Sequence, residues 1–307
     1  MTAPRVAVLL STWNGEAFLA EQLDSVAAQE GVDVSVFARD DGSADATLTL
    51  LRRYSSRWPA LADPARGENL GPAASFLRLL ADVPAGFDAY AFCDQDDVWA
   101  PDKLVRAVAS LSEQPAERPS LYCSRVLLVD EAMRPLGKSP LDGDGRFEHL
   151  LFENIAFGNT VVMNAAARNL IGSRAPGRAV IMHDWWCALV ISAFGAILYD
   201  EQPGVRYRQH RSNSIGAASG QVGEIVRLLR MFMRDPSRFW RVHAQACELL
   251  RLFGDDLTPS QQRLTKAMVD SRGSFRSRLA FALGGRMVRR TVLGAIAGRV
   301  LVIAGWY

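Results

Sequence analysis

Three carboxylates fall within four residues at Asp94-Gln95-Asp96-Asp97, directly behind the apolar run Tyr90-Ala91-Phe92-Cys93. Close anions repel one another and are costly to hold together unless a positive charge or strong donors sit among them. A divalent cation carrying a nucleotide's phosphates meets that need, because hard cations take carboxylate and phosphate oxygens together. The competing reading is local. Asp97 can cap the helix that Pro101 opens, since carboxylates favour the positive end of the helix dipole.

Other clusters pose the same choice. Asp40-Asp41-Gly42-Ser43 is either a turn with an N-cap at Ser43 or Asp45, or a carboxylate that accepts hydrogen bonds from a nucleobase or ribose. Thr12-Trp13-Asn14-Gly15 is either a strand-to-helix turn or a place where Trp13 covers the face of a base. In His183-Asp184-Trp185-Trp186, Asp184 either caps a helix or, set between an imidazole and two indoles, has a raised pKa and serves as a general base. His210 lies in a polar stretch that reads as a loop, and a second metal ligand nearby would give it a role. The patterns of the phosphate loop, the dinucleotide fingerprint and the hydrolase nucleophile elbow are all missing from the sequence.

The elements that must position these residues alternate in type. Strand-length apolar runs are predicted at residues 6–10, 32–38 and 88–93, and helical spacing at 17–28, 44–54, 71–80 and 102–111. Each polar cluster therefore follows a strand. This rhythm predicts an α/β fold with an open, mostly parallel, Rossmann-like sheet flanked by helices, and ligands outside the carboxyl ends of the strands. Further on, strands are expected at 121–129, 157–164 and, briefly, 196–199, with a helix at 184–194. From 217 onward only helical signals remain, among them 223–234, 239–253 and an apolar stretch at 292–307.

Charge is divided unevenly along the 307 residues. From residue 217 on there are 15 Lys/Arg against 6 Asp/Glu, a net +9, which leaves −7 for the first 216 of a chain whose total is +2. The basic tail carries Leu, Met and Phe between its arginines, so it is expected either to meet an anionic membrane surface, in preference to nucleic acid, or simply to pack on the rest of the chain. Four scattered cysteines without CxxC spacing, and a start that moves straight into a strand, predict a cytoplasmic protein with reduced thiols.

Taken in order, the clusters resemble family-2 glycosyltransferases of the GT-A fold, and within them the bacterial rhamnosyltransferase-like branch. The likeness rests on Val-Ala-Val-Leu-Leu-Ser-Thr-Trp-Asn-Gly at 6–15, Asp40-Asp41-Gly42-Ser43, Asn69-Leu70-Gly71, Asp94-Gln95-Asp96-Asp97-Val98-Trp99, Gly158-Asn159-Thr160, His183-Asp184-Trp185-Trp186 and Tyr207-Arg208-Gln209-His210. The sequence departs from the family pattern at Ser75 and Asn159. The resemblance implies a catalytic domain over 1–216 and a helical, basic extension over 217–307. It also implies an inverting, metal-dependent transfer of a sugar, rhamnose in this branch, from a nucleoside diphosphate to a glycan or lipid-linked acceptor in cell-surface polysaccharide synthesis.

By the same resemblance, Ser11 and Trp13 line the nucleobase pocket, Asp41 bonds the base with Asp40 beside it, and Asn69 lies near the nucleotide. Asp94 contacts ribose or metal. Asp96 and His210 hold Mg²⁺ or Mn²⁺, and Asp184 is the base that deprotonates the acceptor hydroxyl. Two other readings share the pattern: a non-catalytic scaffold for polysaccharide assembly, and a haloacid-dehalogenase-type phosphatase, which also sets DxD after a strand.

Overall fold

The computed structural model describes residues 2–140, 145–177, 179–210, 237–284, 288–289 and 292–305. The chain alternates β1 (Arg5–Thr12), α1 (Leu19–Ala27), β2 (Asp33–Asp40), α2 (Thr47–Ser55), β3 (Ala65–Arg66), α3 (Pro72–Asp82), β4 (Ala89–Cys93), β5 (Val98–Trp99) and α4 (Lys103–Ser112). It continues through β6 (Ser120–Val129), β7 (Pro135–Lys138), α5 (Phe147–Leu150), β8 (Val162–Asn164), α6 (Ala165–Gly172), α7 (His183–Phe194) and β9 (Ala196–Arg208). Among the described residues four helices follow: α8 (Ser237–Phe253), α9 (Pro259–Asp270), α10 (Phe275–Leu283) and α11 (Val292–Ile303). The expected helix at 223–234 and the boundary at 216/217 lie outside the described residues.

One mixed sheet runs β3-β2-β1-β4-β8-β6-β9-β5, with β7 on the far side of β6. Its longest pairings, β1 with β2 and β6 with β9, are parallel. β1 is apolar throughout its middle because it is covered on both faces, as parallel strands usually are. Val6, Val8 and Leu10 join one core with α1, α2 and α4, while Ala7 and Leu9 join the other with α3 and α7. That alternation is the period-2 geometry of a strand. The registers Thr12↔Asp40 and Leu10↔Cys93 bring the ends of β1, β2 and β4 to one edge. Strand order reverses between β1 and β4, and such a switch point opens a crevice at the carboxyl ends.

Two expectations need correction. Only Val162–Asn164 of the stretch 157–164 is strand. Gly158–Thr160 forms a 3₁₀ turn, held by hydrogen bonds from the Thr160 main chain (2.8 Å) and hydroxyl (2.7 Å) to the Phe157 carbonyl. The strand expected to stop at 199 runs on to Arg208. Its partner β6 is long enough to pair from Ser120↔Ala196 to Val129↔Arg208, and the polar Glu201-Gln202-Pro203-Gly204 is accommodated by a register shift between Ser124 and Val126.

The C-terminal helices enlarge the second core. Val242, Ala246, Leu249 and Phe253 of α8, Leu264 and Met268 of α9, Phe281 of α10 and Val302 of α11 belong to the same apolar cluster as α7. α7 is accordingly apolar all round, with Trp186 to Ile191 buried between sheet and α8. Thr258 and Gln261 form a reciprocal capping box that starts α9. No helix among the described residues is long and apolar enough to cross a membrane.

Leu249 is fully buried at the α8 contact with this core. Leu249→Ala should cost about 2–5 kcal/mol, read in denaturant as an earlier midpoint of one transition shared by tryptophan fluorescence and circular dichroism. Two separate transitions, only one of them moved, would show that the helices fold apart from the sheet.

Candidate active site

The ends of β1 and β2 carry a hydrogen-bonded lattice. Asp40 is fully enclosed. It accepts from the Ser43 main chain (2.9 Å), the Ser43 hydroxyl (2.5 Å) and the Thr12 hydroxyl (3.3 Å), so it fixes the loop that follows β2. Asp41 accepts from the main-chain N–H groups of Leu70 (2.9 Å) and Gly71 (2.8 Å) and pairs with Arg39. Arg39 also donates to the Ser75 hydroxyl (3.0 Å), which lies 2.6 Å from that of Ser11. Ser11, Ser75, Arg39 and Asp41 are thus one connected chain. Asn69 is exposed and accepts from the Gly71 main chain. Neither Ser43 nor Asp45 is the N-cap of α2, a position held by Ala46, although Asp45 accepts from Thr47 in its first turn.

Trp13 is 54% exposed, with its ring free at the strand end. Its main chain is clipped by the carboxamide of Gln95: Trp13 N–H donates to Gln95 Oε1 (2.7 Å), and Gln95 Nε2 donates to the Trp13 carbonyl (3.0 Å). A Cβ on Gly15 would overlap that carboxamide. Glycine at this point lets the β1 loop meet the acidic turn.

The acidic turn divides its carboxylates. Asp96 is partly exposed, and its Oδ2 lies 2.8 Å from His210 Nε2. Asp94 is half-buried, and its pKa is pushed up to about 8 by burial, then by the charges of Asp96 and Asp184. Asp97 is fully buried and is no helix cap: the N-cap of α4 is Asp102, while Asp97 accepts from the Arg208 main chain (3.1 Å) and from the Asn159 carboxamide. Burial and the charges of Asp96 and Asp94 push its pKa well up. Lys103 lies fully buried in the first turn of α4, its Nζ 3.4 Å from the centre of the Trp99 ring. Burial lowers its pKa to about 7, against the pull of Cys93 and Asp97.

Asp184 lies in the first turn of α7, only 6% exposed, and near enough to Asp94 for its charge to act there. The helix N-cap is Met182, so Asp184 does not take that position. Its Oδ1 accepts from the Trp185 main chain (2.6 Å). Burial pushes its pKa up to about 6, against the opposing pull of hydrogen bonds from Trp185, the Asn154 side chain and the Gly158 main chain. His183 packs face to face on Phe76 (4.0 Å) and edge-on to Phe92 (4.6 Å). Burial lowers its pKa to about 3, which keeps it neutral beside Asp184. A Cβ on Gly158 would come within 2.9 Å of His183 Nε2, so the 3₁₀ turn can approach only as glycine.

Several residues of this arrangement have no role assigned to them from the sequence alone, although Gln95, Tyr207 and Arg208 lie inside motifs noted above. Gln95 and Asn154 are unremarkable amides, and Arg208 reads as one more arginine. Tyr207 is half-buried, with its pKa raised by burial and by Asp97, Asp94, Asp96 and Asp184, so its phenol sits among all four carboxylates. Only the strand that extends to Arg208 explains why these residues meet.

At the switch point of the sheet an acidic turn ends β4 and a buried carboxylate opens α7, on the α/β architecture of the GT-A fold. The sequence profile of the family described as Glycosyl transferase family 2 matches residues 7–122. RfbG of Shigella flexneri, a dTDP-rhamnosyl transferase, is 30% identical over 221 residues, which cover 68% of this chain and 74% of that protein. The chain belongs to glycosyl transferase family 2 and is a rhamnosyltransferase-like enzyme; the phosphatase reading falls away. Among solved structures, TarS 1-349 of S. aureus in complex with UDP-GlcNAc matches with a TM-score of 0.58 at 17% identity, over 97% of this chain and 81% of that one. Its complex with UDP matches with a TM-score of 0.57, also at 17% identity, over 98% of this chain and 80% of that one. At that identity the likeness is one of fold.

A carboxyl whose pKa is about 6 when folded and 3.8 otherwise favours folding while protonated. Its stabilising contribution is complete below pH 3.8 and is lost as pH rises through about 6, a change of at most about 3 kcal/mol. Asp184→Asn should therefore gain stability over wild type above pH 6 and lose that advantage below pH 4, read as the difference in denaturant midpoints. Parallel pH curves for the two proteins would show that Asp184 has an ordinary pKa.

Proposed function

We propose that the enzyme is an inverting, divalent-cation-dependent transferase that moves a sugar, rhamnose from dTDP-rhamnose, to a hydroxyl of a glycan or lipid-linked acceptor in cell-surface polysaccharide synthesis. The observation that carries this reading is the single buried carboxylate of Asp184, raised to about 6 and near enough to Asp94 for its charge to act there. One base suffices for a single displacement with inversion, in contrast to the paired carboxylates of glycoside hydrolysis. The similarity to RfbG supports rhamnose as the sugar.

The proposed roles follow the geometry. Trp13 offers an exposed ring to the base, and Ser11 lies at the open end of the chain through Ser75 to Arg39 and Asp41. Asp40 and Asp41 hold the loops around the base, Asn69 stands at their rim, and Asp94 orients the ribose side. Asp184 takes the proton of the acceptor hydroxyl, held by Asn154 and Gly158 while Trp185 Nε1 anchors to the Leu150 carbonyl (2.6 Å).

The residues fit Mg²⁺ or Mn²⁺. Among the described residues no group of three or more His, Cys, Asp or Glu side chains is preassembled for a metal. Asp96 and His210 instead supply one oxygen and one nitrogen side by side, which leaves room for diphosphate and water, as such cations usually require. A bound cation would neutralise the leaving diphosphate and relieve the repulsion that raises Asp94.

For the helices beyond 217 we propose a membrane-facing role on the cytoplasmic side, with 1–216 as the catalytic domain. Leu283 (73% exposed), Val300 (58%), Phe275 (57%) and Ile296 (50%) are large apolar side chains at the surface, and Ile296 and Val300 lie one turn apart on α11. Arg276 is exposed beside Phe275, an arrangement suited to anionic lipid.

Two measurements test these readings. Asp184→Asn should lower turnover of dTDP-rhamnose with Mn²⁺ by about 10²–10⁴-fold, the usual worth of a general base, with donor affinity unchanged. Turnover within tenfold of wild type would remove Asp184 from that role, and turnover with UDP-glucose or GDP-mannose in place of dTDP-rhamnose would reassign the donor. Replacing both exposed residues, Ile296→Glu with Val300→Glu, should abolish flotation with phosphatidylglycerol vesicles without lowering the melting temperature; equal flotation of the two proteins refutes the membrane contact.

A further inference from the structure

We infer that Arg208 is a positioning residue for the cation site, and that Phe18 and Glu21 of α1 act through it. The inference rests on the reading of Asp96 and His210 as metal ligands and adds how their relative placement is set.

Arg208 is 2% exposed, and its donors reach three separate parts of the chain. Its main-chain N–H donates to Asp97 Oδ1 (3.1 Å) and its Nε to the Asp96 carbonyl (3.0 Å), so it grips two successive residues of the acidic turn. Nη1 donates to the Glu131 carbonyl (2.6 Å) beyond β6, and Nη2 pairs with the Glu21 carboxylate. The guanidinium lies 4.5 Å over the Phe18 ring, and that ring is 5.3 Å from the ring of His210. Phe18 therefore supports both the arginine and the histidine two residues after it.

The fork of a guanidinium is what this position needs. It presents several donors in a fixed plane, whereas an ammonium offers one charge on a flexible stem. Burying a charge that only filled space would be unfavourable compared with an apolar side chain of similar size. Here the bonds of the buried arginine instead run to the turn that carries Asp96, to Glu131 beyond β6 and to Glu21 of α1. Asp97 belongs to the same device. Its carboxylate ties the start of the turn to β9 through Arg208 and to the 3₁₀ turn through Asn159. The 2.8 Å between Asp96 Oδ2 and His210 Nε2 is then set by groups that touch no substrate.

Groups that orient metal ligands from behind typically change metal affinity about 10–100-fold when removed. Mn²⁺ alone, titrated into the full chain and followed by electron paramagnetic resonance of the free ion, should bind about 10–100-fold more weakly to Phe18→Leu and Arg208→Met, with Arg208→Lys in between. Metal-free dTDP binding should remain within about twofold of wild type in all three. Asp96→Asn and His210→Ala measure the ligands themselves.

If those two bind Mn²⁺ like wild type, or wild type binds none, the cation reading fails and the positioning role with it. If they lose Mn²⁺ while Phe18→Leu and Arg208→Lys keep wild-type affinity, the positioning role alone is overturned. It is equally overturned if Phe18→Leu loses dTDP and Mn²⁺ to the same extent. Should Arg208→Met fail to fold, Phe18→Leu and Arg208→Lys decide the matter.

Discussion

Mutual repulsion among carboxylates at the end of β4 is the constraint around which the site is organised. The strand is buried along its whole length, so the turn that follows cannot move outward to dilute its charge. Three devices hold it. Arg208 brings a buried positive charge against the turn, Asn159 and the Arg208 main chain occupy Asp97, and Lys103 lies beneath on Trp99. Asp96 meets His210, and the charge of Asp96 joins burial in pushing the Asp94 pKa up to about 8. Residues far apart in the chain owe their positions to this one electrostatic problem.

The same constraint bears on Asp184, the base proposed above, which stands apart from the acidic turn. A base must be desolvated enough to want a proton, yet a fourth carboxylate close to the acidic turn would be pushed too high. The structure places Asp184 on a different element, where burial is the largest influence and donors from Trp185, Asn154 and Gly158 pull the other way. Asp94 lies between, close enough to be raised by both Asp96 and Asp184. His183, neutral in its apolar slot, adds no charge to the balance.

Much of this was legible in the sequence, for a physical reason. Buried parallel strands announce themselves as continuous apolar runs, and the polar clusters that end them must lie at one edge of the sheet. Ser11, Trp13, Asp40, Asp94 and Asp96 were therefore placed together by strand ends alone. What remained illegible depends on distant partners. Arg208 meets Glu21 across 187 positions and Asp96 across 112, and nothing near 208 signals either. The end of β9 was misread because Pro203-Gly204 has the composition of a loop, while pairing with β6 decides the outcome. Asp97 looked like a cap because its only local neighbour of consequence is a helix.

The C-terminal helices bear on the chemistry through packing. Gln245 of α8 accepts from the Ile181 main chain (3.2 Å), Glu248 from that of Gly177 (2.5 Å), and Arg174 donates to the Leu252 carbonyl (2.6 Å). The segment leading into His183-Asp184 is thus fastened to α8, whose Leu249 and Phe253 also cover α7. Removing that cover would hydrate the helix on which Asp184 sits. Burial is the first cause of its raised pKa, so hydration would return the carboxyl toward an ordinary acid and weaken it as a base. The C-terminal helices are therefore coupled through packing to the carboxyl proposed as the base: a shift of α8 would change the burial that sets the Asp184 pKa.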